Sequence, residues 1–494
     1  MVAATRPFFL IKQSKFPIED RPLVDGFFMD GWLTFTQSFF MRSLFLFLLS
    51  IISVHLHAQA DKEFSESLKK EMREKVVEAC RHAWKGYVQY ASGYDDLQPL
   101  TKNGKNWYRH SMFMTPVDSY DTFIMLGMKE EAAEAKKIIL SRLNFDIDNE
   151  VQVFEITIRL LGGLISAYEL DGDKKFLLLA IQLADRMMPA FNTPTGMPWR
   201  YIHLQTGKVR DSINNPAEIG TLMLEFGKLS KLTGNTKYYE QAKKAIMAVN
   251  ERRSEIGLVG IQVNVMNGEW VKTESQIGAY VDSYYEYLYK GWKLFGDEDL
   301  LRAWEVHKAA ISQHLIVKRE NGWFLAHVDM HTGKEIKPYY GALDAFYAGL
   351  LAYAGDVATA IQVQKANDYM WKKFGIEPET FNFKTDTVVH GQYVLRPENI
   401  ESAFYLYRAT RDDRYLWMGK QMFDDIVKHC RHETGFASIR DVRTMEKMNS
   451  MQSFFIAETL KYAYLLFAAD SKLDLDEWVL NTEAHPFRKG KGKD

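Results

Sequence analysis

A helical hairpin that recurs about every sixty residues constrains the fold of this chain more than any other feature. From Asp61 onward, apolar residues recur at three- and four-residue spacing, which is typical of amphipathic helices. Short turns interrupt the pattern at intervals of 62, 62, 59 and 56 residues, at Gly172, Gly234, Gly296, Gly355 and Arg411. Glycine suits the left-handed position that ends a helix, and an Asp or Asn after it can cap the next helix. Each turn therefore joins two antiparallel helices.

The number of these helices predicts a closed ring. With an earlier turn at Gly127, the pattern gives a first helix near 62–92, six hairpins through about residue 430, and a last helix near 452–467. Repeats that bury their faces only against neighbours either stack into an open solenoid or close into a toroid. Pairing of the first and last helices favours closure. We therefore predict an all-α fold, an (α/α)7 barrel of seven helical hairpins with irregular loops and short β-hairpins.

The N-terminal sixty residues are typical of a targeting segment. Arg42 precedes an apolar run over 44–54, and an A-x-A sequence ends at Ala60, as in a secretory signal peptide. A membrane span would need about 20 apolar residues, so we predict export to the periplasm or extracellular space without a stable span. The predicted division is an unstructured 1–40 upstream of the true start, a signal peptide over 41–60, the barrel over 61–487 and a basic tail over 488–494.

Composition excludes some functions and leaves the cysteines ambiguous. A formal net charge of −2 without a long basic block argues against a nucleic-acid partner, and we expect a monomer. The sequence contains no CxxC or HExxH, which argues against a metal cluster. Cys80 lies in the first predicted helix and Cys430 in a late one, so we predict that they form a disulfide; two buried free thiols are the alternative.

Acidic residues recur near the starts of the leading helices of the hairpins, beside apolar and aromatic runs. These residues are Asp118, Glu155, Asp282 and Glu398. Leading helices run in the same direction, so their starts gather at one end of the barrel. A carboxylate in apolar surroundings is costly unless it has a function. Carboxylates that converge from separate helices are what acid–base hydrolysis of a glycosidic bond requires, so the sequence predicts a glycosidase.

The residues alone leave the individual roles open. The apolar neighbours of Glu155 favour its protonated form and a general-acid role, whereas Arg159 four residues on allows an ordinary ion pair. Glu398 follows Pro397 at a helix start, where the helix dipole would keep it ionised as a base. The alternative is that Glu398 is only one of the acidic residues that are common at helix starts, without a catalytic role. Asp282 could be only an N-cap.

The last segments carry the same ambiguity. Phe454 and Glu458 share one face of the final helix, where the acid could point into the barrel or form a buried ion pair. In NTEAHP, over 481–486, Thr482 could offer its carbonyl and hydroxyl oxygens to a hard cation, although a plain turn is the alternative.

Together these segments resemble glycoside hydrolase family 47, the class I α-1,2-mannosidases. The resemblance runs from about Val76 to Pro486, through HSMFMTPVDSYDTF, VFEITIRLLGGLISAY, GAYVDSYYEYL, LRPENIESAFYLYR, SFFIAETLKY and NTEAHP. PAFNTPTGMP, ERRSEIGLVG and TGFASIRDV are closer to the branch of ER degradation-enhancing α-mannosidase-like proteins, and the export signal suggests a bacterial member. The family implies an inverting exo-mannosidase with a bound Ca²⁺ at the base of the barrel. Its partner would be a high-mannose oligosaccharide, a glycoprotein glycan or mannan.

The resemblance also implies roles for residues. Glu155 matches the general acid, Glu398 the general base, Asp282 a third catalytic acid, Glu379 a further acid and Thr482 the calcium ligand. Residues that we expect to bind the terminal sugar are Arg159, Arg396, Glu401, Phe454, Glu458 and Glu483, together with Asp118.

Two departures from the family pattern concern specificity rather than the acids. ALDAFYAG, over 342–349, lacks the histidine, cysteine and proline of the processing enzymes, and Gln452 stands where an acid is common. The alternative function is a mannose-binding lectin or chaperone-like module with little turnover. The presence of all the acids favours the enzyme, because a binding module needs no acid–base pair.

Overall fold

A computed structural model describes residues 63–490 of the chain. The predicted segments 1–40 and 41–60 lie outside these residues, as does most of the predicted tail, and they stay predictions. No helix among the described residues is both long and apolar enough to cross a lipid bilayer.

Helices dominate the described residues. In chain order they are α1 (Glu66–Ala91), α2 (Met114–Leu126), α3 (Lys129–Arg142), α4 (Val153–Glu155), a π-helical segment (Ile156–Leu161), α5 (Gly162–Asp171), α6 (Lys174–Met187), a 3₁₀ turn (Met188–Phe191), α7 (Pro216–Gly220), α8 (Met223–Thr233), α9 (Lys237–Glu251), α10 (Asp282–Phe295), α11 (Glu298–His314), a 3₁₀ turn (Leu343–Ala345), α12 (Phe346–Tyr353), α13 (Val357–Phe374), α14 (Glu398–Thr410), α15 (Arg414–Cys430), a second π-helical segment (Phe455–Leu460), α16 (Lys461–Phe467) and a 3₁₀ turn (Asp470–Lys472).

These helices form two concentric rings, which confirms the predicted (α/α)7 barrel. The inner ring consists of the leading helices α2, α5, α8, α10, α12, α14 and α16, and the outer ring of the helices that pair with them. Inner helices are buried nearly all round, as 12 of 13 residues are in α2, whereas in its outer partner α3 only 4 of 14 are. The last inner helix α16 packs against both α1 and α2, so the ring closes.

The predicted turns end the inner helices in left-handed backbone. Gly127, Gly172, Gly234, Gly296 and Gly355 have φ values of 75°, 83°, 75°, 70° and 87°. Arg411 takes the same place with φ 60°, although it carries a side chain. The spacing of these residues therefore sets the lengths of the hairpins that make the barrel.

Short antiparallel strands occupy the connections between hairpins. They are β1 (Asp96–Gln98), β2 (Asn103–Lys105), β3 (Glu150–Gln152), β4 (Tyr201–His203), β5 (Val209–Arg210), β6 (Ile213–Asn214), β7 (Gln262–Asn264), β8 (Trp270–Lys272), β9 (Glu274–Ser275), β10 (Ile316–Arg319), β11 (Gly322–Leu325), β12 (His327–Asp329), β13 (Glu335–Lys337), β14 (Tyr339–Tyr340), β15 (Thr380–Asn382), β16 (Thr387–His390), β17 (Arg431–His432), β18 (Gly435–Phe436), β19 (Ser438–Asp441), β20 (Glu446–Met448), β21 (Trp478–Leu480) and β22 (Pro486–Arg488).

Four three-stranded sheets have the orders β3-β4-β5, β6-β7-β8, β13-β12-β9 and β14-β15-β16, and the other strands pair as hairpins. Strands β1 to β20 all lie in connections from an outer helix to the next inner helix, at the end of the barrel where the inner helices begin. The hairpin β21–β22 instead follows the last inner helix. Its register pairs Trp478 with Arg488 and Leu480 with Pro486.

The turn of that last hairpin, over 481–485, lies inside the inner ring. Asn481 and His485 are fully buried. The side-chain amide of Asn481 donates to Glu225 Oε1 at 2.8 Å and to the Ile158 carbonyl at 3.0 Å. Because these partners belong to two different parts of the ring, the turn fixes the inner helices relative to one another.

The predicted disulfide is wrong. Cys80 and Cys430 are both free thiols in the structure, and both are fully buried. Burial raises the pKa of the Cys430 thiol to about 12 and that of Cys80 further. Both thiols therefore pack as buried apolar groups, which is the alternative that the sequence left open.

Gly234→Ala should lower the free energy of unfolding by about 1–2 kcal/mol, the cost of left-handed backbone for an L-residue. No atom lies within 4 Å of the position that the new Cβ would occupy, so the cost is purely conformational. Gly234→Asn is the control, since Asn tolerates this conformation and should lose less. Urea unfolding checks both, and equal stability of Gly234→Ala and the wild type would contradict the turn assignment.

Candidate active site

A cavity of about 480 Å³ opens where the inner helices begin. Ten of the twelve predicted site residues line it: Glu155, Arg159, Asp282, Arg396, Glu398, Glu401, Phe454, Glu458, Thr482 and Glu483. The other two, Asp118 and Glu379, lie behind its wall. Residues from α4, α10, α14, the two π-helical segments and the turn 481–485 therefore meet in one small volume, although they are spread over more than 300 positions of the chain.

Arg159 is the centre of contacts at one side of the cavity. It lies in the first π-helical segment, where its Nε donates to Glu155 Oε2 at 3.0 Å and its Nη1 donates to Glu483 Oε2 at 2.5 Å. The structure therefore contains the ion pair between Glu155 and Arg159 that the sequence left open as an alternative. The side chain of Glu155 is still 23% exposed and faces the cavity, so the pair positions this carboxyl group without enclosing it.

Glu398 occupies the first position of α14, as predicted, but its electrostatic state differs from the prediction. Burial raises the pKa of Glu398 to about 8; Arg396, 3.8 Å away, acts in the opposite direction, and Glu379 and Asp282 add to the rise. Its Oε2 has no hydrogen-bond partner among the described residues. The helix dipole does not keep this carboxyl ionised by itself, because loss of hydration and two like charges outweigh it.

Glu379 supports the cavity from outside it. Its Oε1 accepts from Arg396 Nε at 2.9 Å and its Oε2 from Arg396 Nη2 at 3.0 Å. This two-pronged contact uses both carboxylate oxygens and fixes the plane of the guanidinium. Glu379 therefore orients Arg396, which in turn faces Glu398.

Asp282 begins α10, and its Oδ1 accepts the backbone N–H of Ser283 at 2.8 Å. Burial, and then the charge of Glu286, raise the pKa of Asp282 to about 7. Glu286 also lines the cavity and is a residue that the sequence interpretation missed. The signal was present, because Glu286 follows Asp282 by four residues and so lies on the same helix face.

The floor of the cavity is the turn 481–485. Thr482 and Glu483 line it, and Glu483 lies against Glu458 from the second π-helical segment. Burial raises the pKa of Glu483 to about 7, and burial together with the charge of Glu483 raises that of Glu458 well above its ordinary value. The two carboxyl groups therefore do not both ionise readily at neutral pH.

Asp118 lies in a charged layer beneath this floor. Its Oδ1 is 3.1 Å from His485 Nε2, and its Oδ2 is 3.6 Å from Arg159 Nη1. His485 Nδ1 is 2.7 Å from Asp121, which also pairs with Lys461. Both ring nitrogens of His485 thus face carboxylates and both must donate, which requires the imidazolium form. Asp118 contacts Arg159 but does not itself line the cavity.

Three non-glycine residues beside the cavity adopt left-handed backbone, which is sparsely populated and costs of order 1–3 kcal/mol each. They are Tyr280, Leu395 and Ala484, with φ values of 77°, 67° and 57°. Each is held through its carbonyl, which accepts from Ala217 N, Thr459 Oγ1 and Lys461 Nζ respectively. Strain of this kind is concentrated at functional sites.

Within residues 63–490, no group of three or more His, Cys, Asp or Glu side chains forms a ready-made metal site. The cavity is nevertheless strongly acidic, since eight carboxylates but three arginines of the described chain line it. The carboxyl groups of the lining outnumber its arginines, and Thr482 adds a hydroxyl and a carbonyl oxygen to them. This donor set fits a hard, oxygen-preferring cation.

Comparison with known proteins is consistent with this geometry. Residues 79–489 match the sequence model of glycosyl hydrolase family 47. Alpha-mannosidase I MNS4 of Arabidopsis thaliana is 39% identical over 437 residues, which cover 84% of this chain and 69% of that protein. ER degradation-enhancing alpha-mannosidase-like protein 2 of Homo sapiens is 37% identical, covering 84% and 77%. The structure of the alpha-1,2-mannosidase from Trichoderma reesei superposes with a TM-score of 0.80 at 28% identity, covering 85% and 99%.

The difference in unfolding free energy between wild type and His485→Gln should be largest at pH 6 and shrink as the pH rises to 9. Burial opposes charge on His485, but Asp121 and Asp118 raise its folded-state pKa to about 9, above the ordinary 6.5. Its contribution is therefore complete below pH 6.5 and lost as the pH rises through 9, with a linkage limit of about 3 kcal/mol.

The comparison of two proteins isolates His485, because the cavity carboxyl groups titrate in the same range in both. Urea unfolding at each pH, in chelator, gives the difference. A difference that stays constant between pH 6 and 9 would show that His485 is not charged in the folded state.

Proposed function

The chain belongs to glycosyl hydrolase family 47, a family of glycoside hydrolases, and we propose that it is an inverting, exo-acting α-1,2-mannosidase. Its substrates would be the terminal mannose residues of high-mannose glycans or mannan, and its cofactor Ca²⁺. The observation that carries the proposal is the convergence of Glu155 from α4, Asp282 from α10 and Glu398 from α14 on one cavity of about 480 Å³.

The closed floor supports exo action. The turn 481–485 lies across the inner ring beneath the acids, with Thr482 and Glu483 at the base of the cavity. A sugar chain can therefore insert one end but cannot pass through the barrel. A site of this shape binds a terminal residue and leaves the rest of the glycan outside.

In the proposed reaction Glu155 donates a proton to the glycosidic oxygen while Glu398 removes one from the attacking water. The partly exposed Glu155, oriented by Arg159, can meet a leaving group that faces the opening. Glu398 is more enclosed, and burial raises its pKa to about 8 although the charge of Arg396 opposes that rise. The positive charge of the proposed Ca²⁺ would add to the effect of Arg396 and favour the ionised form that a base requires. Inversion would require a separation of roughly 6.5–9.5 Å between the two carboxyl groups, to leave room for the water.

The oxygen atoms at the floor of the cavity are the basis for proposing Ca²⁺. Thr482 would hold the ion through its carbonyl and hydroxyl oxygens, and the surrounding carboxylates, including Glu401 and Glu458, would bind its water shell. A bound Ca²⁺ would orient two mannose hydroxyls and favour the distorted ring of an oxocarbenium-like transition state. The excess of carboxylates over arginines in the cavity supports this assignment.

The purified protein should hydrolyse α-1,2-linked mannobiose and release β-mannose first, as followed by NMR of the early product. Glu155→Gln and Glu398→Gln should each lower kcat by about 10²–10⁴-fold, the usual contribution of general acid–base catalysis. Glu131→Gln, in the outer helix α3, is the control and should leave kcat unchanged. Release of α-mannose would exclude inversion, and tight mannobiose binding without any hydrolysis would favour the mannose-binding lectin instead.

Removal of Ca²⁺ with EGTA should abolish hydrolysis, and added Ca²⁺ should restore it. Thr482→Val removes one of two proposed protein oxygens and should weaken both the metal and the mannobiose. Calorimetry with Ca²⁺ alone separates these effects. Full activity in excess EGTA, from protein that contains no metal by elemental analysis, would contradict the calcium assignment.

A further inference from the structure

Two aromatic rings pack against the guanidinium of Arg159. Its Cζ lies 5.1 Å from the ring centroid of Trp107 and 5.6 Å from that of Phe454. The ring of Phe454 is also 5.8 Å from Cζ of Arg396. Cations are attracted to aromatic faces, and a flat guanidinium packs well on them. The positions of these two rings therefore influence both arginines that face the proposed acid and base.

One carboxylate outside the cavity anchors both rings. Asp96, in β1, is 6% exposed, and its Oδ2 accepts from the indole Nε1 of Trp107 at 2.5 Å. Its Oδ1 accepts the backbone N–H of Ser453 at 3.1 Å. Ser453 immediately precedes Phe454, so the second bond fixes the backbone that carries the other ring.

No motif along the chain marks Asp96 or Trp107 as a functional residue. Asp96 lies in YDDLQP and Trp107 in KNWYRH, in the loop before the first inner helix, far from the acidic segments along the chain. Neither lines the cavity. Asp96 has no salt bridge among the described residues, although burial of a carboxylate is costly unless its oxygens are satisfied. The N–H groups of Trp107 and Ser453 satisfy these two oxygens. One belongs to the ring of Trp107 and the other to the residue before Phe454, and both rings pack against Arg159.

We propose that Asp96 and Trp107 are positioning residues for the mannosidase reaction: Asp96 fixes the rings of Trp107 and Phe454, and the rings set the guanidinium of Arg159 and thereby the carboxyl of Glu155. This inference rests on the proposed function. Glu155 depends on Arg159 Nε for its orientation, since that bond is 3.0 Å long and the carboxyl is otherwise open to the cavity. A small rotation of the guanidinium would therefore misdirect the proposed acid.

The variants Asp96→Asn and Trp107→Phe test the chain of contacts at its first bond. Asn retains one acceptor oxygen, so either the indole N–H or the Ser453 N–H loses its partner. Phe retains a ring but has no N–H. With α-1,2-linked mannobiose, each variant should lower kcat by about tenfold or more and change KM less than threefold. In the double variant the loss should be smaller than the product of the two single losses, because both changes act on the same set of contacts to Arg159.

The chain contains a matched control for this bond. Trp371 Nε1 donates to Asp425 Oδ2 at 2.9 Å, between the outer helices α13 and α15 and away from the cavity. Trp371→Phe and Asp425→Asn lose the same kind of hydrogen bond. They should lower Tm about as much as the test variants but leave kcat and KM within twofold of the wild type.

The outcomes separate this inference from the function on which it rests. If the wild type hydrolyses mannobiose and the Asp96 and Trp107 variants behave kinetically like the Trp371 and Asp425 controls, the positioning role is refuted. If Asp96→Asn does not fold, Trp107→Phe alone decides. If the wild type does not hydrolyse mannobiose, the proposed function and the positioning role that rests on it are refuted together, whereas an active wild type with fully active variants refutes the positioning role alone.

Discussion

Asn481 uses every hydrogen-bonding position of its side-chain amide inside the helix ring, and the rest of the site depends on that arrangement. Its Nδ2 donates to Glu225 and to the Ile158 carbonyl, and its Oδ1 accepts from the backbone of Glu483 and His485. The amide therefore shapes the turn and ties it to the ring. An inner ring of helices leaves a channel along its axis, and this turn converts the channel into a cavity with a floor.

Buried lysine and arginine side chains offset the electrostatic repulsion among the many carboxyl groups at the cavity. Lys290 lies between Glu286 and Glu401, Lys461 pairs with Asp121, and Arg159 with Glu483. Removal of one member of such a buried pair leaves an uncompensated charge, which costs far more than the pair contributes. Lys290 and Lys461 lie outside the cavity lining, and Arg159 forms part of it. They reduce repulsion among the carboxylates while leaving space for a sugar and, in the proposed enzyme, a calcium ion.

Irregular backbone at the cavity is part of the same design. The two π-helical segments, Ile156–Leu161 and Phe455–Leu460, carry Arg159 and Glu458, and segments of this kind are frequent at functional sites. The left-handed residues lie beside Asp282, Arg396 and Glu483. In each case a hydrogen bond from another element holds the strained carbonyl. The strained backbone at these positions costs conformational free energy and directs side chains differently from a regular helix, and packing elsewhere in the fold offsets that cost.

The repeat, and through it the closed barrel, can be predicted from the sequence alone, because glycine spacing and helical periodicity are local properties. The sequence also identified Glu155, Asp282, Glu398 and the turn at Thr482, since an acid in an apolar run is visible without coordinates. The disulfide that it predicted is wrong, and neither the raised pKa of Glu398 nor the contacts of Asp96 and Trp107 beside Arg159 are visible in it. Those properties depend on which distant groups come together and how much water they exclude, and only the closing of the ring around the turn 481–485 decides that.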